Sequence, residues 1–174
     1  MGQRTAIIVQ LVSEQQKRHE TRVYHDSWGY GRITPANAMG VMLGTIGLSI
    51  SCSDFLDCLV PMGVTDVTGQ FAEQMGVLNS ISFERPELAG EIMQAAGNNN
   101  GGVLIRITEV EHWRKKIEYA FMLGYEEGGD YKRWCSFGEW CKAFPENCEP
   151  SFRAVFRKVA GYLGAEDRGA SGRE

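Results

Sequence analysis

The residues with the means to do chemistry are concentrated in one stretch, Tyr24-His25-Asp26-Ser27-Trp28-Gly29-Tyr30-Gly31-Arg32. An imidazole beside a carboxylate supplies a general base with an orienting partner, and Arg32 with Tyr24 or Tyr30 would hold an anion close by. The two glycines allow a ligand to approach the backbone. Strand geometry works against the pair. Adjacent strand residues point to opposite faces, so His25 and Asp26 meet only if the strand ends between them. Without chemistry, His25 finishes a strand, Asp26 makes an Asx-type turn and Trp28 plugs the base of a hairpin. Tyr24, His25, Asp26, Trp28, Tyr30 and Arg32 are therefore candidate binding residues, and no catalytic residue is assigned.

Other motifs fall short of their templates. Gly29-Tyr30-Gly31 followed by Thr34-Pro35 puts glycines before a helix start, where anions are attracted. A dinucleotide fingerprint needs a third glycine where Thr34 stands, and no Gly-Lys-Ser/Thr run is present. Cys135, Cys141 and Cys148 with His112 would make four zinc ligands, but the spacings of five and six residues are wider than in fingers or ribbons. These thiols are expected to be small core side chains, with no metal and no cofactor. His112-Trp113-Arg114-Lys115-Lys116 and Tyr131-Lys132-Arg133-Trp134 interleave bases with aromatics, as single-strand platforms do. If Tyr125 pairs with Tyr131 across a turn, the two clusters sit at different heights and form no common patch. A net charge of −4 also argues against nucleic acid, whose ligands carry a basic excess. A protein partner or a small anionic ligand remains as the expected partner.

The chain that must position these residues has 174 residues, 43% hydrophobic and 23% charged, enough for one domain that buries its own core. Its five cysteines form no Cys-x-x-Cys pair and follow no secretory signal, so reduced thiols in a cytoplasmic setting are expected. Ala6 stands where N-myristoylation requires Ser or Thr.

Periodicity supplies the elements. Thr5–Val12 is a strand whose apolar run Ala6–Val9 marks it as an inner one covered on both faces, and Glu20–His25 returns as a more exposed neighbour. Thr34-Pro35 opens a helix with Met39, Met42, Leu43, Ile46 and Ile50 on one face and Ala36, Gly40, Gly44 and Gly47 on another. That run is too short to span a membrane and carries Asn37, Thr45 and Ser49. Ser53–Leu59 adds a short helix, residues 62–82 are irregular with one turn near Phe71–Met75, and Pro86–Ala96 is a helix with Leu88, Ile92 and Ala95 inward. Val103–Val110 and Lys116–Glu126 are strands, the second with a strict period of two. Glu127–Asp130 turns the chain into a return over Tyr131–Cys135. Ser136 and Glu139 form a capping box for a short helix, and Phe152, Val155, Phe156, Val159, Tyr162 and Leu163 stripe the last one.

The expectation is an α+β fold, a single domain over residues 1–164, with a mostly antiparallel sheet built from two hairpins and helices packed on it. Residues 165–174 form a frayed polar tail.

Several of these segments also resemble a group of small proteins encoded by bacteriophages and integrative elements. The shared features are the opening Met1-Gly2-Gln3-Arg4, a strand and returning strand, and the turn Tyr24–Gly31. Later come the aromatic strand Glu118–Tyr125 and Trp134-Cys135-Ser136 before a capped helix. Trp28-Gly29 stands where many of the group carry Trp-Asn-Gly, and Cys52–Glu91 has no counterpart. The resemblance implies a mobile-element context and no chemistry. Together these features point to a small cytoplasmic binding or interaction protein without catalytic activity of its own. The alternative is a small enzyme or nucleotide-binding antagonist of host defence that uses the 24–32 segment.

Overall fold

The computed structural model describes residues 4–26, 56, 64–97, 101–110, 115–124, 129–136, 139–140, 157 and 161. Their centre is strand β1, Thr5–Ser13, buried along almost its whole length. An apolar run without alternation has no face suited to water, so it takes neighbours on both edges and cover on both faces. Strand β2, Arg18–Asp26, lies antiparallel on one edge, from Thr5 opposite Asp26 to Ser13 opposite Arg18. The turn between them is Glu14–Lys17, with Lys17 in the left-handed region at φ 49° and its N–H donating to the Glu14 carbonyl. The pairing thus runs further toward the turn than the polar residues Ser13–His19 suggest.

The sheet is mostly antiparallel, as expected of this α+β fold, but the other edge of β1 makes it mixed. Strand β4, Gly102–Glu109, pairs with β1 in parallel, with Ala6 opposite Gly102 and Ile8 opposite Leu104. Strand β5, Lys115–Met122, returns antiparallel on β4, and the short strand β3, Thr65–Asp66, joins the outer edge of β2. The order across the mixed sheet is β3-β2-β1-β4-β5. The chain between β3 and β4 passes through a 3-10 segment, Thr68–Gln74, then helix α1, Met75–Ser80, and helix α2, Pro86–Ala95. That passage returns the chain to the end of the sheet where β1 begins, so β4 enters alongside β1 in the same direction. The last step is steric. A Cβ on Gly102 would lie 2.1 Å from the Ala6 carbonyl oxygen, and Gly101, at φ 70°, accepts the Ala6 N–H at 3.1 Å.

The expected return strand over 131–135 is, among the described residues, a single bridge. Cys135 pairs with Phe121 and donates its N–H to the Phe121 carbonyl at 2.8 Å. This bridge lies on the register that would place Tyr125 opposite Tyr131, but Tyr131 is at φ 57° and no ladder follows.

One face of the sheet is covered by α1, α2 and the 3-10 segment. Ala6, Ile8, Val23, Leu104 and Met122 pack there with Phe71, Leu78, Ile81, Ala89, Ile92, Met93 and Tyr131. Each such aliphatic side chain contributes about 1.5–3 kcal/mol by leaving water. The inward positions of α2 are Ala89, Ile92 and Met93, whereas Ala95, expected inward, is exposed. Pro86 opens α2, and Gly97 at φ 72° ends it. On the opposite face Ile7, Val9, Leu11, Val103, Ile105 and Ile107 are also buried, and Trp140 packs on Phe121 with ring centroids 5.2 Å apart.

The helix expected from Thr34 and the turn Glu127-Gly128 lie outside the described residues. Of the 53–59 helix only Leu56 is described, helical and buried, and of the last helix only Arg157 and Gly161, both helical and exposed.

Candidate functional site

Strand β2 continues through Asp26, so the condition for His25 and Asp26 to meet is not fulfilled. His25 lies in register with Ala6 and Thr65, on the helix-covered face, and is partly exposed. Tyr24 and Asp26 lie on the other face, in register with Ile7 and Thr5, and are 5% and 9% exposed. The sheet itself separates the imidazole from the carboxylate. Thr5 beside Asp26 is fully buried, and its hydroxyl has no hydrogen-bond partner among the described residues. Trp28, Tyr30 and Arg32 lie outside the described residues.

Along β2, from its turn end toward Tyr24, charges are paired among themselves. On the face that carries Tyr24, Arg18 and Arg22 both engage Glu20, Arg22 at 2.5 Å, and Arg22 reaches Asp66 at 3.0 Å. Burial pushes the Glu20 carboxyl up, but the hydrogen bonds and charges of Arg18 and Arg22 outweigh it and hold it below its ordinary value. Asp66 is likewise lowered. Partial burial opposes the shift, while the Thr68 hydroxyl and N–H and the Arg22 guanidinium favour the charged form. Val67 and Thr68 close the edge of β2 at Val23, through Val67 N–H to the Val23 carbonyl and Val23 N–H to the Thr68 hydroxyl, each 2.9 Å. This ladder fixes the edge of β2 at Val23, and Arg18, Glu20, Arg22 and Asp66 occupy one another.

The other candidate groups resolve into packing. Burial pushes the Cys135 thiol up to about 11, aided by the negative charge of Glu139, so it is protonated at neutral pH. Among the described residues no cluster of three His, Cys, Asp or Glu side chains is placed to hold a metal. Cys141, Cys148 and His112 lie outside them. Tyr131 is buried, and the partly exposed Trp134 donates its indole N–H to the Phe83 carbonyl at 2.8 Å. Lys115 is buried, and Lys116 is bonded to Glu118 at 3.1 Å. The capping box forms as its residues imply, with Glu139 N–H to Ser136 Oγ at 3.1 Å and Ser136 N–H to Glu139 Oε2 at 2.8 Å.

One arrangement was not drawn from the sequence. Gln10 and Arg106 are lone polar residues inside otherwise apolar strands, and the parallel pairing sets them side by side. Gln10 is fully buried. Its Nε2 donates to the Ile81 carbonyl at 2.9 Å, and its Oε1 accepts from Arg106 Nε at 3.0 Å. The Arg106 guanidinium lies over Phe83, 4.8 Å from the ring centroid. A single polar residue at the centre of each of two apolar strands was the available signal, but it becomes a pair only once β1 and β4 are known to be neighbours.

Comparison with known protein families, curated proteins and solved structures finds no match to this chain. No helix among the described residues is long and apolar enough to cross a membrane.

Proposed function

We propose that this chain is a small binding or interaction protein without a reaction of its own, acting through the segment that leaves the end of β2. The observation that carries this reading is the separation of His25 from Asp26 by the sheet, which removes the base–orienter relation that an enzyme using this segment would need. A mobile-element origin is supported by the opening Met1-Gly2-Gln3-Arg4, and a cytoplasmic setting by the cysteine pattern. The ligand is a protein partner or a small anion.

The test is a thermal-shift panel of nucleotides, cyclic nucleotides and divalent metals, with each ligand that raises the midpoint recovered and analysed by mass spectrometry. A bound species stabilises by mass action, so a hit reports binding to the folded chain. A hit recovered unchanged supports the binding reading. A nucleotide recovered chemically altered, with the alteration lost in both His25→Ala and Asp26→Asn, would replace it with the enzyme.

A further inference from the structure

We propose that Arg106 anchors an oxyanion-binding site on the helix-covered face of the sheet, taking a carboxylate or phosphate end-on through its two terminal nitrogens. This site is separate from the segment at the end of β2. Gly102 shares its row with His25, and Arg106 stands about 13 Å further along β4.

Three elements hold the guanidinium in place. From β1, the fully buried Gln10 accepts its Nε–H, and the Gln10 amide is in turn oriented by the Ile81 carbonyl. From the loop before α2, Phe83 lies under its plane, and the loop after β5 fixes Phe83 through the Trp134 indole. With Nε occupied, the side-on approach is used and the end-on pair remains. Among the described residues neither terminal nitrogen makes a hydrogen bond or ion pair. A held arginine loses little side-chain freedom when it binds, and its planar fork matches the oxygens of a carboxylate or phosphate.

The nearest carboxylates are already engaged. Glu118, directly across the β4–β5 register from Arg106, is bonded to Lys116 at 3.1 Å. Glu84 feels the Arg106 charge, but its carboxyl is held low mainly by its own backbone N–H and the Ser82 hydroxyl. Phe83 lies against the guanidinium, and Trp134 is its ring neighbour with centroids 6.4 Å apart; both rings are partly exposed. Two acidic neighbours weaken the attraction for a bare anion, whereas two aromatic neighbours favour a ligand with an apolar body. The ligand class is therefore an oxyanion on an aromatic or aliphatic group.

The experiment is an NMR titration of the full chain with benzoate and with phenyl phosphate, probes with the same ring and different anions. The Arg106 Nε–H and Trp134 indole signals are followed, assigned with Arg106→Lys and Trp134→Phe. Saturable shifts of both signals with either probe are expected. The probe that binds more tightly assigns the anion, and equal binding assigns both. Arg106→Lys keeps the charge and loses the fork, so it should weaken binding about ten-fold. Absence of saturable shifts in the unaltered chain overturns the proposal, whether or not the variants fold. Equal affinity of folded Arg106→Lys and the unaltered chain for the probes overturns it as well.

Discussion

Gly90 of α2 lies against the Tyr131 backbone so closely that a Cβ on it would stand 1.9 Å from the Tyr131 carbonyl oxygen. This contact lets the loop after β5 cross the helix, with the Tyr131 side chain buried in the core and its backbone at φ 57°.

Gly90→Ala is therefore expected to cost about 3 kcal/mol or more, because the atom in the way is backbone and the core around it is close-packed. Gly76, in α1, has nothing within 4 Å of such a Cβ, and Gly76→Ala should raise stability by about 1 kcal/mol through helix propensity. Denaturant melts of the two variants check this pair. Similar effects at both positions would contradict the packing of α2 against the 131–135 loop.

Gln10→Leu keeps most of the volume of a fully buried side chain and removes both of its hydrogen bonds. The Ile81 carbonyl and the Arg106 Nε are left without their partner, at an expected cost of about 2 kcal/mol. Trp134→Phe should cost about 1 kcal/mol by removing the indole donor to the Phe83 carbonyl. Equilibrium unfolding measures both, and a neutral Gln10→Leu would show that the bond network contributes nothing to stability.

Glu20 and Asp66 give an acid dependence with a definite sign. Both carboxyls are held below their ordinary values of 4.5 and 3.8, so below pH 5 the unfolded chain binds more protons than the fold. Their stabilisation is complete above those values and is lost as the pH falls below them. The Arg22–Asp66 pair is more than a third exposed on both sides, and screening keeps its contribution within about 1 kcal/mol. Arg22→Met should reduce the fall in melting midpoint between about pH 5 and pH 3. An unchanged fall would mean that the ladder beside β2 has no part in acid stability.

Cys135, with its thiol pushed up to about 11, should resist alkylation by iodoacetamide at pH 8 in the folded protein and react readily once the chain is unfolded. Peptide mass spectrometry at Cys135 reads this directly. Rapid native labelling would contradict its burial.

Local signals carried the local structure. The unbroken apolar run Ala6–Val9 marked the central strand, Pro86 and Gly97 bounded α2, and Ser136 with Glu139 marked a reciprocal cap. The parallel β1–β4 pairing was not legible, because apolar strands buried on both faces look alike whichever way they pair. The order of residues 64–80 was hidden for a different reason. Phe71 and Leu78 are its fully inward anchors, and a 3-10 segment followed by a short helix leaves no regular period. Of the candidate site, the obstacle to a His25–Asp26 pair followed from strand alternation alone, whereas the Gln10–Arg106 pair required the strand order.

Arg32→Ala compared with Trp28→Ala tests most directly the proposed binding role of the segment leaving β2. Melting midpoint and partner capture are scored separately, with the unaltered chain as bait. The account predicts that Arg32→Ala keeps the midpoint and loses capture, while Trp28→Ala lowers the midpoint. Capture by Arg32→Ala equal to that of the unaltered chain would contradict it and leave Trp28 as packing alone.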